Sequence, residues 1–217
     1  MAGHYSRLGK IKAFELIIDQ AFQYFYYHRM GRHKEFDTDL ALDKAVEVFR
    51  EHGFTGTSAQ MLTTAMCIGK QSLYDTFGDK WRLYCSALER YAASETAAHI
   101  QALQGASSAY DGMVNMLGRV VREADRPCLG ISSVNEFGDR QDDLLKARKP
   151  SGTALRTALL STIQQAKLIG DLAADLNPEH GVSFLLANIA AIRIAARGGA
   201  GAGELQALAD MALKALK

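Results

Sequence analysis

Apolar side chains recur at helical spacing along most of the chain, and no stretch alternates with the two-residue period of a half-buried strand. The first pattern lies near the start. Phe14, Ile17, Ile18, Ala21, Phe22 and Phe25 fall on one face of a helix, and Tyr24, Tyr26 and Tyr27 crowd its end. This stretch reads equally as a helix docked on the body or as a leader ahead of a start at Met30, so 1–30 is set apart as an extension with no function assigned. From Asp37 the signals sharpen. Asp37 or Thr38 caps a helix with a buried stripe of Leu42, Ala45, Val46 and Phe49, leaving Asp43, Lys44, Glu47, Arg50 and Glu51 toward water. Gly53 stops it, and Thr57 with Gln60 forms a capping box for a short second helix that turns Leu62, Ala65 and Met66 inward. Cys67-Ile68-Gly69 connects to a third helix, Lys70 to Phe77, with Ile68, Leu73 and Phe77 as its core contacts. Gly78 ends that helix, and Asp79 caps a long fourth one running toward Gly105.

Further helical patterns span Met113–Glu123, Leu129–Phe137, Thr153–Ala166, Pro178–Arg197 and Glu204–Leu216. Asn177-Pro178 is a well-formed start, an N-cap followed by proline at the first helical position. From Phe184 to Ala195 apolar residues occupy nearly every side, which requires burial in a core or in a subunit interface. The fold class is all-α.

Composition narrows the function. With 217 residues, 48% hydrophobic and 23% charged, the chain matches neither a disordered nor a membrane protein, and its apolar runs are broken well short of a membrane span. Lys10 and Lys12 precede an apolar stretch, but Glu15 and Asp19 interrupt it, so no secretory signal is read and a cytoplasmic location is expected. A net charge of +1 means that any nucleic-acid binding rests on a local patch. Over residues 1–36 six Lys/Arg face three Asp/Glu, and Arg29, Arg32, His33 and Lys34 form a basic arm that is either a minor-groove contact or a solvated tail. Cys67, Cys85 and Cys128 lack Cys-x-x-Cys spacing, and His4, His28, His33, His52, His99 and His180 are scattered, so neither a metal nor a cofactor is expected. With no Gly-rich phosphate loop and no Gly-x-Ser-x-Gly, the chain does not read as an enzyme.

Two short helices joined by a tight connection outline a helix-turn-helix, although many αα-hairpins share that outline. The wording is more specific. Gly53-Phe54-Thr55-Gly56-Thr57-Ser58, then Ile68-Gly69-Lys70-Gln71-Ser72-Leu73-Tyr74-Asp75-Thr76-Phe77-Gly78-Asp79-Lys80, closely resembles the DNA-binding region of TetR-family transcriptional regulators. The resemblance covers about Gly31 to Leu88 and implies a DNA-binding domain over 31–80 and a helical ligand-binding and dimerisation domain over 81–217. Three residues depart from the family pattern. Cys67 stands where a small residue, often Gly, is usual, Gly69 where Ser or Thr caps the recognition helix, and Asp75 where an aromatic or His is frequent.

The resemblance places Lys70, Gln71, Ser72, Tyr74 and Thr76 at the groove. Lys70 can neutralise a phosphate or reach guanine, Gln71 can pair with adenine, Ser72 and Thr76 can approach the backbone or a thymine methyl, and Tyr74 can anchor a phosphate. Thr57 and Ser58 start the second helix and Lys80 the fourth, where free N–H groups favour phosphate, though Thr57 serves equally as a simple cap. The implied partners are a double-stranded DNA operator, a small apolar or aromatic inducer, and a second copy in a homodimer that would read a palindrome as a repressor. Met113, Met116, Leu117, Val120, Phe137 and Phe184 are the candidate ligand contacts, with Asn115, Ser133 or Asn135 as polar orienters; each also reads as plain core. No charged constellation marks the ligand's chemistry. Cys128, next to Arg126-Pro127, is either a redox or electrophile-sensing thiol or a small buried hydrophobe. The remaining alternative is a helical interaction module that has lost DNA binding, to which Cys67 and Asp75 point.

Overall fold

Glycines and short polar side chains mark the breaks between the first helices, and the structure places the helix ends there. The computed structural model describes residues 36–217; the apolar stretch over 14–25 and the basic arm at Arg29, Arg32, His33 and Lys34 lie outside the described residues. The described residues form α1 (Thr38–His52), α2 (Ala59–Met66), α3 (Lys70–Phe77), α4 (Lys80–Gln104), α5 (Ala109–Arg122), α6 (Leu129–Phe137), α7 (Asp142–Leu168), α8 (Pro178–Arg197) and α9 (Ala202–Lys214), with no strand among them. From Asp39 to Lys217 the chain is one compact unit.

Gly53 closes α1 in the left-handed region at φ 65, its N–H reaching back to Phe49 O. The cap of α2 falls one residue later than the Thr57–Gln60 spacing suggests. The Thr57 hydroxyl is buried and donates to Gly53 O at 2.6 Å, so it is Ser58 Oγ that accepts from Met61 N–H. At the end of α2, Ile68 N–H bonds Thr63 O and Cys67 N–H bonds Thr64 O, the paired bonds of a Schellman motif. That motif requires a left-handed residue, and Cys67 supplies it at φ 55. Gly69 before α3 is extended and has open space around it, so no glycine is needed there. Asp79 caps α4 by accepting from Arg82 N–H.

The most extensive packing joins α4 to α7, with α5 packed against both and α8 and α9 packed against α5 in turn. Met113, Met116, Leu117 and Val120 of α5 meet Leu159 and Ile163 of α7 and Val182, Leu185 and Ile192 of α8 in one dry cluster. One helix start and one buried charge differ most from the sequence reading. α7 begins at Asp142, not Thr153, and runs through Pro150, because Leu144 and Ala147 bury their side chains and tertiary packing outweighs one lost hydrogen bond. Arg50, expected in water, is buried on α1: its Nε donates to Pro127 O, its Nη1 pairs with Glu47, and its guanidinium lies over the Tyr91 ring. In α8 the inward side chains are buried while Phe184 and Ile194 are exposed, as is Met211 on α9.

Cys67 carries a side chain in a conformation that favours glycine. Cys67→Gly is expected to raise stability by roughly 0.5–1 kcal/mol, the relieved steric cost less the added unfolded-state entropy, seen as a higher urea midpoint with an unchanged slope.

Candidate nucleic-acid interface

α3 is anchored by one side chain and shows its opposite face to water. Leu73 is fully buried, and at about 100° per residue Gln71 and Asp75 lie opposite it, Tyr74 and Ser72 to either side, and Lys70 and Thr76 nearer to it. Lys70, Gln71 and Asp75 are exposed and Tyr74 is half-buried; Ser72 and Thr76 lie on the flank, both half-buried. Asp75 has a partner within the helix: Gln71 Nε2 donates to its Oδ1 at 2.7 Å. One amide hydrogen is thereby committed, while the second N–H and the Gln71 Oε1 stay open for the two-point contact an adenine edge offers. The carboxylate that looks misplaced beside phosphates acts here as a brace for Gln71.

The residues read as phosphate contacts separate into two groups. Ser58 is exposed at the N-terminus of α2. Thr57 and Lys80 are engaged within the protein, Thr57 through Gly53 O and Lys80 through Phe54 O at 2.8 Å and Thr57 O at 2.7 Å. Sequence reasoning also missed two side chains that reach this region from a distance. Glu136 on α6 accepts from Phe54 N–H and Thr55 N–H at 2.9 Å each, and Arg50 ties α1 to the start of α6. Their separations, 81–82 and 77 positions, leave no local signal to find them by.

The six candidate ligand contacts do not assemble into one site. Met113, Met116, Leu117 and Val120 are fully buried in the α5 core, Phe184 is at the surface, and Phe137 packs elsewhere, with its ring centroid 5.7 Å from Phe54 and 5.3 Å from Trp81. Asn115 and Asn135 are exposed; Ser133 is buried, its hydroxyl without a protein partner. A cleft of about 330 Å³ between the end of α4, the start of α5 and α7 is lined instead by Leu103, Ser107, Ser161, Thr162 and their neighbours. The cysteines are free. Cys128 is half-buried at the N-cap of α6, and Arg126 beside it turns toward Glu47 at 3.6 Å. The Cys85 thiol is pushed up to about 11, chiefly by burial and further by Asp143 and Asp79. Among the described residues no group of His, Cys, Asp and Glu is placed to hold a metal ion.

Where the sequence offers no charged constellation, the structure builds one from three helices. Glu95 of α4 accepts from Arg119 of α5 at 3.0 Å and from Arg193 of α8 at 3.1 Å, and Arg119 also pairs with Glu123 at 2.9 Å. Two carboxylates and two guanidiniums balance. Burial pushes the Glu95 carboxyl up, but the bonds and charges of Arg119 and Arg193 outweigh it and hold the group below its ordinary value. Buried His99 beside them falls to about 4, first through desolvation and then through Arg119.

Comparison with known proteins places this geometry. The family described as "Bacterial regulatory proteins, tetR family" matches residues 41–84, α1 to the first turns of α4. The uncharacterized HTH-type transcriptional regulator YezE of Bacillus subtilis (strain 168) is 34% identical over 148 residues, 66% of this chain and 76% of that one. The HTH-type transcriptional repressor ComR of Escherichia coli (strain K12) is 27% identical over 190 residues, 85% and 90% of the two chains. Among solved structures, a cysteine mutant of the TetR family transcriptional regulator CifR, complexed with 26-bp double-strand operator DNA, is similar with a TM-score of 0.70 and 30% identity over 86% of this chain and all of that one.

His99 gives the folded state a pH dependence whose sign follows from its lowered value. Between pH 6.5 and about 4 the unfolded chain binds a proton that the folded chain refuses, so stability falls as pH drops through that window and the loss is complete below it. His99→Gln is expected to flatten the decline between pH 7 and 5 in urea unfolding; an equal decline in both proteins would contradict the assignment.

Proposed function

The chain belongs to the TetR family and is a DNA-binding transcriptional regulator, and on that premise we propose that it is a ligand-responsive repressor that binds a palindromic operator as a homodimer. It acts by binding, not catalysis, in the cytoplasm with the DNA it controls. The observation that carries this reading is the exposed face of α3, where Lys70, Gln71 and Tyr74 stand together over a helix fixed from behind by Leu73. Lys70 supplies charge to a phosphate or guanine, Gln71 reads adenine while Asp75 holds its amide, and Tyr74 anchors the backbone. Ser72 and Thr76 approach the sugar-phosphate wall from the flank, and the open start of α2 at Ser58 receives a phosphate. On this division 31–80 reads DNA, 81–217 senses ligand and dimerises, and 1–30 is an extension.

Phe184 and Ile194 on α8 and Met211 on α9 support pairing of these two helices with those of a second copy, since apolar side chains of this size gain by burial. The inducer is an apolar or aromatic small molecule that displaces the flexible methionines of α5. To release the operator it must bind the released state more tightly, by about 1–3 kcal/mol of coupling.

The test is a titration of the full chain with a duplex enriched by it from random-sequence DNA, across a range of salt. Lys70→Ala is expected to weaken binding and to reduce the slope of log K on log salt by about 0.9 if Lys70 neutralises one phosphate, with the dimer intact. Tyr74→Ala weakens binding as well. Wild-type protein that binds no duplex at low salt, or substitutions without effect on affinity, would contradict the reading and favour an interaction module.

A further inference from the structure

The turn between α1 and α2 is held from two sides, by Glu136, which the DNA reading does not use, and by Lys80, which the resemblance places at a phosphate. On one side the Glu136 carboxylate accepts both Phe54 N–H and Thr55 N–H, at 2.9 Å each, from its place one residue before the end of α6. On the other, the Lys80 ammonium at the start of α4 donates to Phe54 O and Thr57 O, and it also lies 4.2 Å from the centre of the Phe54 ring. Two amides on an anion and two carbonyls on a cation make four charge-assisted bonds across four residues, each stronger than its neutral counterpart. Gly53 makes room for the approach. A Cβ at that position would lie 3.0 Å from Glu136 Oε2, in a backbone conformation that already favours glycine. Packing follows the same line: Phe137, next to Glu136, sits with Trp81 and Tyr84 of α4 around the Phe54 ring. Partial burial pushes the Glu136 carboxyl up, yet the two backbone donors outweigh it and hold the group below its ordinary value.

The turn leads directly into Ser58, the cap of α2, and α2 carries α3 through the Schellman motif. The placement of the groove-facing side chains relative to α6 therefore draws on these bonds, while α3 is also joined to α4 through Gly78-Asp79 and packs on it directly. We propose that Glu136 and Lys80 are positioning residues for operator binding: together they clamp the backbone of the α1–α2 turn, so that the seat of α6 sets whether α3 is presented correctly to DNA. Lys80 on this view touches the turn and not a phosphate. The proposal rests on the DNA-binding reading above.

The experiment uses the full-length protein with its selected duplex and compares Glu136→Ala, Glu136→Gln and Lys80→Met with wild type by salt-dependent affinity and by hydrogen exchange of the turn amides. Loss of the carboxylate in Glu136→Ala is expected to weaken operator binding about tenfold, the equivalent of one charge-assisted bond. Glu136→Gln, which keeps one acceptor and the side-chain volume, should fall between the two. The salt slope should stay at the wild-type value in all three, because no phosphate contact is lost. Exchange at Phe54 and Thr55 should quicken in both Glu136 variants while the α5 core stays protected. Operator affinity in Glu136→Ala equal to or tighter than wild type would overturn the role of Glu136. A slope reduced by about 0.9 in Lys80→Met would make Lys80 a phosphate contact and overturn its part. Wild-type protein that binds no duplex would overturn the functional reading and this proposal with it, whereas an effect missing only in the variants would overturn the proposal alone.

Discussion

What α3 can present to DNA depends on how the backbone of Gly53–Thr57 is satisfied. A tight turn leaves N–H and C=O groups without helical partners; the carbonyls here are partly buried, where an unbonded group is costly, while the amides of Phe54 and Thr55 lie nearer the surface. Here the Thr57 hydroxyl takes the Gly53 carbonyl, Lys80 takes two further carbonyls, and Glu136 takes two amides. Each partner comes from a different element: the turn itself, the start of α4 and the end of α6. The turn is thus fixed in three directions, and α2 and α3 inherit its orientation.

α4 extends that constraint into the rest of the chain. Its first turn carries Lys80, Trp81 and Tyr84 against the helix-turn-helix, and three to four turns further on Glu95 and His99 enter the buried group formed with Arg119 and Arg193. Arg193 is buried and its charge is tolerated because it is paired, so a movement of α8 that separates it from the half-buried Glu95 must be compensated by something else. One rigid helix therefore has polar commitments at both ends. The helix that carries Lys80 against the turn is thus the same one that carries Glu95 against α5 and α8.

The local parts of this arrangement are legible in the sequence. Gly53, Gly78 and Asp79 mark helix ends because a left-handed residue or a capping oxygen acts on its immediate neighbours, and the runs Lys70–Phe77 and Pro178–Arg197 agree with the observed helices at both ends. Cys67 is legible through the resemblance, whose pattern usually has a small residue, often Gly, where this left-handed residue stands. What escapes is long-range or competitive. Thr57 and Ser58 are equally good caps by type, and only the buried bond from Thr57 to Gly53 O decides between them. Arg50 and Glu136 look like solvated charges until the fold brings Pro127 to one and the turn amides to the other. The first three turns of α7 are hidden behind Pro150 and Gly152, residues that discourage a helix locally but do not prevent it once Leu144 and Ala147 are buried. Phe137 illustrates the same limit: its apolar type suits a ligand pocket, while its neighbours prove to be the aromatic rings beside the helix-turn-helix.

The most direct measurement is selection of bound sequences from random duplex DNA by the full-length protein. A dimer that reads through two copies of α3 should enrich a palindrome whose half-sites are centred about one helical turn apart. Recovery of no common sequence, or of a single half-site without symmetry, would contradict a dimeric reader of a palindromic operator.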